Sequence, residues 1–404
     1  MSFPVAKTED EASAAVPIHS RAQGTAEPLR VSVYSKLEDL PQPFLKLFAE
    51  AARESVFLTL PWFENFIQNA MASEDRVRIY GVSAGEAAAG MLVMRSVDRS
   101  RRFFSLRKLE ALANYYSCFY APHLAQSTGE PRRVLRALAH AIRQEKPRWD
   151  AIDIKLLDAN SEILTVLMEE LRAAGFMVQN YFCAGNWFEP VNGKSYREYL
   201  EGLRSSVRNI AKSKNKKVER TGRVRCEIKM GLEGLEDGIA AYQKVYSESW
   251  KVHEPFSQFI PGLLRTFATH GKLRLGVAYV DEEPAAAQIW IVHCGVASIY
   301  KIAYDKKFWD LSVGTYLTTR MMEHAIDVDR VREVDYLTGD DGYKRDWMSQ
   351  RRERWGILAL NPRTPLGMLA IGRHIGGRAV KRMALKLFSR VRRGTSPKNK
   401  PKAH

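Results

Sequence analysis

Residues 285–347 constrain this chain more than any other stretch. Two apolar runs rich in β-branched and aromatic residues, 289–293 and 296–304, flank Cys294-Gly295, a pattern that predicts a hairpin. A loop over 305–313 follows. Gly314-Thr315 then opens a pattern in which Leu317, Met321, Ala325 and Val328 recur every three or four residues, an apolar stripe suited to lie on a sheet. A third strand, 331–337, runs into Thr338-Gly339-Asp340-Asp341-Gly342-Tyr343-Lys344. Strand, loop, glycine-opened helix and strand make a plausible phosphate cradle. The first amides of a helix lack partners, and the helix dipole behind them attracts an anion.

The order of these parts resembles the acyl-CoA-binding core of the GNAT N-acyltransferase superfamily. Tyr304-Asp305, Ser312-Val313-Gly314-Thr315-Tyr316-Leu317, Asp335 and Gly339-Asp340…Tyr343-Lys344…Trp347 sharpen the likeness. They resemble the branch of CelD-type (cellulose-biosynthesis) acetyltransferases, which is related to the Fem-type aminoacyl transferases. The resemblance extends over residues 30–360. It implies an α/β fold of two GNAT-like lobes in tandem, each a mixed sheet flanked by helices. The expected organisation is a disordered lead-in (1–28), a degenerate first lobe (29–185), an acyltransferase lobe (186–362) and a basic, partly amphipathic tail (363–404).

The pattern elsewhere alternates as an α/β layer structure does. Strands are expected at 29–34, 77–82, 88–94, 151–156, 176–182, 225–230 and 273–280. Helices are expected at 44–53, 131–144, 161–174 with Ser161 as cap, 196–217 with Ser195 as cap, and 235–250. Residues 186–193 break the pattern and are read as the boundary between lobes. Ser55-Val56-Phe57-Leu58-Thr59-Leu60-Pro61-Trp62-Phe63 resembles the start of proteins in this branch. Trp62 there is either a core anchor or a wall of the substrate site. Tyr116, within Asn114-Tyr115-Tyr116-Ser117, either faces a cleft or sits in a half-buried aromatic loop. Ser249-Trp250-Lys251, with Glu254 shortly after, also resembles this branch, where the motif faces the acceptor.

The formal charge of +16 is uneven. Residues 363–404 hold twelve Lys/Arg and no acid, and residues 204–225 hold nine Lys/Arg against Glu219 alone. The remainder is mildly acidic, so the two basic segments point to an anionic partner. Arg204, Arg208, Lys212 and Lys216 fall four apart and would share one helix face. That face reads as solvated, as a grip on donor phosphates, or as a track for a nucleic-acid end; no aromatics interleave to stack bases. The second half of the tail fits a basic amphipathic helix able to rest on anionic lipid.

Cys118, Cys183, Cys226 and Cys294 are isolated, with no metal spacing, as buried thiols of a reducing compartment would be. No apolar run is long enough to span a membrane, and the N-terminus lacks a signal core. A cytoplasmic chain, peripheral at the inner face of a membrane through its tail, is the expectation.

Carried onto this chain, the resemblance implies an acyl-CoA donor with its phosphates on Ser312, Val313, Gly314 and Thr315. Its pantetheine arm would run along the strand of Tyr300 and Ile302. An amine with a pKa of about 10 must lose a proton before attack, which makes Asp340, Asp341 and Glu254 candidate bases. Tyr343 is a candidate to protonate the departing thiolate or orient the acyl carbonyl, and Lys344 to stabilise an oxyanion or grip an anionic acceptor, with Lys344 alternatively paired to Asp335 or Asp340. Trp62, Tyr116, Trp250 and Asp341 are the substrate-side candidates, and no metal is expected. The acceptor would be an amine of a polar metabolite, glycan or lipid. The rivals are a Fem-type transferase fed by charged tRNA and a non-catalytic scaffold of an exopolysaccharide system.

Overall fold

The computed structural model describes residues 27–97, 105–126 and 129–374. The first half comprises β1 (Leu29–Tyr34), α1 (Gln42–Ala51), α2 (Leu60–Asn69), β2 (Asp75–Ala84), β3 (Ala87–Val97), β4 (Lys108–Ala111) and β5 (His123–Leu124). It continues with α3 (Pro131–Gln144), β6 (Ala151–Asp158), α4 (Glu162–Ala173) and β7 (Met177–Pro190). The second half holds α5 (Tyr196–Gly202), α6 (Ser205–Thr221), β8 (Val224–Lys229), α7 (Leu235–Ser247), α8 (Phe259–Thr269), β9 (Leu273–Val280) and β10 (Glu283–His293). After these come β11 (Val296–Tyr304), α9 (Val313–Glu323), β12 (Glu333–Thr338), α10 (Gly342–Trp347) and β13 (Gln350–Leu360).

All strands join one mixed sheet in the order β1-β2-β3-β4-β6-β13-β7-β12-β11-β10-β9-β8, with β5 on β3. The expected α/β class holds. The expected break at 186–193 does not: β7 runs unbroken to Pro190, pairing with β13 from Met177 to Phe188 and with β12 from Asn186 to Pro190. One long strand thus carries the sheet from one half into the other. β13, which follows the whole second half, returns between β6 and β7.

Helix periodicity explains the layers. α7 buries Leu235, Ile239, Tyr242, Val245 and Tyr246, one stripe at three- and four-residue spacing. With α1, α2 and α8 it covers one face of the sheet across both halves, in a core containing Trp62, Phe63, Phe66, Tyr116, Phe259 and Phe267. α3 and α4 cover the opposite face of the first half; α9 covers that face in the second. Trp62 is 1 % exposed, with its ring 4.7 Å from Phe57 and 5.6 Å from Phe259. It is a core anchor and not a substrate wall, because three aromatic neighbours, Tyr300 included, enclose it. Thr59 caps α2 by accepting from the amide of Trp62, which fixes that placement.

The expected helix 196–217 is two helices. Ser195 forms a full capping box with Glu198, but the chain is extended at Leu203 and Arg204. Arg204 pairs with Asp346, Arg208 donates to the Glu201 carbonyl, and Lys212 and Lys216 are exposed. Among the described residues no helix is long and apolar enough to cross a membrane. The lead-in up to residue 26 and the tail from 375, including the proposed lipid-binding helix, lie outside the described residues.

Candidate active site

The site begins where two parallel strands part. β11 and β12 pair only over Val296–Ser298 with Glu333–Asp335, although both strands continue. Each has a local cause for diverging. In β11, Ile289 faces Lys301 and Trp290 faces Ile299, so Tyr300 is an extra residue, and a bulge of this kind bends its strand. In β12, Leu337 takes a left-handed conformation (φ 56°), stabilised by its amide donating to Asp335 Oδ1 at 2.6 Å. Beyond the fork, the edge of β11 toward β12 presents backbone groups with no strand partner, the kind of edge an extended chain can dock on.

On one side of the fork lies the start of α9. Its N-cap, Ser312, is left-handed and no side chain caps the helix, so the first-turn amides face a cavity of ≈ 590 Å³ lined by Ser312, Val313, Gly314, Thr315 and Ile302. Gln288 pins this turn to β10. Its buried amide donates to Thr318 Oγ1 at 2.7 Å and the Gly314 carbonyl at 3.3 Å, and its oxygen accepts from the Trp290 indole at 2.8 Å. A side chain at position 314 would start 3.1 Å from the Tyr304 ring, so glycine lets the turn sit this close to β11 without displacing that ring. Trp250 and Trp309 flank Tyr304 at 4.4 and 5.6 Å between ring centroids and wall the cavity. Lys214 of α6 reaches its rim, and Lys217 Nζ donates to the Asp310 carbonyl at 2.8 Å.

On the other side is a smaller cavity of ≈ 250 Å³, lined by Tyr115, Tyr116, Cys118, Lys251, Lys301 and Lys344 among others. Lys251, Ile302, Tyr336, Asp341 and Tyr343 line both cavities, which therefore meet at the fork. Ser249 sets the approach of Lys251: its hydroxyl donates to the Tyr246 carbonyl at 2.7 Å and accepts from the Lys251 amide at 3.2 Å. Burial, with Lys301 nearby, draws Lys251 down to about 8. Lys344 is also lowered by burial; its Nζ donates to the carbonyls of Thr338 at 2.7 Å and Tyr336 at 3.1 Å. Gly339 permits this, since a Cβ there would lie 2.8 Å from that Nζ. Burial pushes the Tyr343 phenol up to about 12.

Several expected site residues are elsewhere. Asp340 is held by Arg351, Oδ1 to Nε 2.8 Å and Oδ2 to Nη2 2.9 Å, and lines neither cavity. That pairing holds its carboxyl below the usual range. Asp335 pairs with Arg352, so neither aspartate partners Lys344; Asp341, 3.9 Å away, does so loosely. Glu254 lies behind Lys301, at 2.9 Å, and does not line the cavity. Trp250 stands on the cavity with Gly314 and not on the smaller one. Tyr300 does line the smaller cavity, but its side chain turns into the core, its hydroxyl donating to the Tyr116 carbonyl at 3.0 Å. Sequence reasoning did not single out Lys301, Cys118 or Tyr336 as site residues, and it carried Tyr115 and Lys251 only inside the motifs quoted above. A further signal existed for Lys301, which interrupts an apolar strand.

Residues 205–345 match the family model for an acetyltransferase (GNAT) domain. The matched segment holds the fork, the start of α9 and most of the lining of both cavities, while Tyr115, Tyr116 and Cys118 reach the smaller one from the first half. Among solved structures, FemX shares 12% identity, over 77% of this chain and 94% of its own, at a TM-score of 0.54, a likeness of fold. A tandem GNAT protein from the clavulanic acid biosynthesis pathway gives 12%, 81%, 98% and 0.46 on the same measures. The C-terminal domain of a putative lysylphosphatidylglycerol synthetase from Agrobacterium fabrum gives 10%, 81%, 94% and 0.48. No curated protein matches the chain.

Proposed function

We propose that this chain is an N-acyltransferase that moves an acyl group from acyl-CoA to a primary amine. The observation that carries the reading is the fork itself, with an uncapped helix start on one side and a lysine- and tyrosine-lined cavity on the other. The donor's phosphates would rest on the amides of Val313, Gly314 and Thr315, near Lys214. Its extended arm would lie along β11 at Ile302, bringing the acyl carbon to the junction. With Asp340 and Glu254 turned away, Asp341 is the carboxylate at the junction, able to take the amine's proton directly or through a water. Tyr343 stays a neutral phenol and offers an O–H to the carbonyl oxygen or the departing sulfur. On the residues quoted from 304 to 347, the reading includes the CelD-type branch and an acceptor from a polar metabolite or the cell envelope.

The position of α6 favours a second donor class. Its exposed Lys212 and Lys216 stand on the helix that brings Lys214 to the cavity rim. A charged tRNA, the donor of Fem-type enzymes, would place its backbone there. Calorimetric titration with acetyl-CoA tests the first reading: saturable binding that Gly314→Trp removes supports it. Absence of binding at millimolar acetyl-CoA, with consumption of charged tRNA that weakens steeply with salt, replaces it by the second.

A further inference from the structure

Three ammonium groups, Lys251, Lys301 and Lys344, and one carboxylate, Asp341, line the smaller cavity. Two of the three are engaged: Lys301 Nζ lies 2.9 Å from Glu254 Oε1, and Lys344 Nζ donates to two carbonyls. Lys251 is different. It is half-buried and lines both cavities. Its Nζ forms no hydrogen bond or ion pair among the described residues, and it meets only the Trp250 ring, 5.7 Å from the centroid.

A half-buried ammonium with no direct ion-pair partner is unfavourable until an anion meets it. The surrounding field has the same sign. Lys301 and Lys344 both act on Lys251, offset in part by Glu254 and Asp341. A purely cationic amine is repelled by such a cluster, and an amine with an anion beside it is drawn in. We infer that the acceptor is an amine carrying a carboxylate or a phosphate, and that Lys251 binds this anion where the two cavities meet. Lys251 and Asp341 line the same junction, so one small molecule can meet the first with its anion and the second with its amine. The inference rests on the acyltransferase reading and narrows its acceptor.

The test begins with the lysines of the full chain. They are reacted with an amine-directed label at pH 8, in the presence of acetate, phosphate or neutral acetamide, and read by peptide mass spectrometry. An anion in contact raises the pKa of Lys251 and slows its labelling by about fivefold or more. Acetamide leaves it unchanged, and exposed Lys212 and Lys216 serve as controls. Protection by acetate or by phosphate tells which anion the site takes. Equal labelling of Lys251 under all three conditions overturns the inference.

A transfer arm uses acetyl-CoA with glycine against glycinamide, and phosphoethanolamine against ethanolamine. The anion-bearing member of at least one pair is expected to have a kcat/KM about tenfold higher. Lys251→Gln abolishes the preference and Lys251→Arg keeps it. Equal rates within each acylated pair overturn the inference. Failure to bind the donor counts against the function proposed above and not against this inference, which the labelling then decides alone, as it does where neither pair is acylated.

Discussion

Lys301 and Glu254 form a 2.9 Å ion pair whose side chains are only 10% and 11% exposed. Lys301 Nζ lies 4.5 Å from the Tyr115 ring centroid and 5.3 Å from that of Tyr116. The pair ties the loop after α7 to the middle of β11, one wall of the cavity to another. Removing one partner leaves a buried charge uncompensated. Glu254→Ala is expected to lower the unfolding free energy by about 3 kcal/mol. Lys301→Met added to it should restore most of the loss. Urea unfolding of the two chains checks this, and an equal loss in both contradicts it.

Gly314 offers a graded probe of the larger cavity. Gly314→Ala sets a methyl 3.1 Å from Tyr304 and is expected to cost about 1 kcal/mol of stability, with donor binding kept. Gly314→Trp projects a bulky group from the same position and is expected to abolish binding while the chain stays folded. Thermal unfolding and acetyl-CoA calorimetry separate the two effects. Loss of binding in both variants would assign the effect to the backbone of α9.

The sign of the Lys251 shift fixes a pH effect. Its folded pKa, about 8, lies below the ordinary value, so in the window above 8 the unfolded chain binds more protons than the folded one. Stability from this group therefore rises with pH between about 8 and 10. Below that window its full penalty is present. Relative to the native chain, Lys251→Met should be more stable at pH 7, and the difference should shrink by pH 9.5. Chemical unfolding at the two values measures it; a constant difference contradicts the assignment.

Adjacent aspartates should behave differently. Asp340 sits in a largely exposed pair with Arg351, and Asp340→Asn should cost less than about 1 kcal/mol and leave transfer nearly unchanged. Asp341→Asn should lower transfer by about 100-fold or more without unfolding the chain. Steady-state rates of the two variants decide, and the reverse order would exchange their roles.

These contrasts mark where sequence is informative. The hairpin of β10 and β11 is legible because its two apolar, β-branched runs are long and Cys294-Gly295 supplies two left-handed residues. The glycine-opened helix at α9 is legible for a similar local reason. β13 is not: Gln350-Arg351-Arg352-Glu353-Arg354 reads as polar surface. Arg352 nevertheless turns inward to Glu333 and Asp335, and Arg354, 5% exposed, to Asp158. Partners 17 and 196 residues away leave no trace in local periodicity. Asp340 and Asp341 are equivalent on paper, and the turn at Gly339 together with Arg351 separates them. The motif marks Lys251, but its distinction is a missing partner, a property of every residue around it.

The strand order has a consequence for how this chain comes into being. β6 and β7 are separated only by α4 in sequence, yet they do not pair; β13 fills the slot between them, antiparallel to both. While the polypeptide is being synthesised from its N-terminus, the first half therefore waits with two open strand edges until residues 350–360 emerge. A fragment stopping at 345, where the transferase pattern ends, would expose those edges permanently and invite pairing with other molecules. The last strand locks both halves together, so the first half can finish folding only after the whole second half has been made.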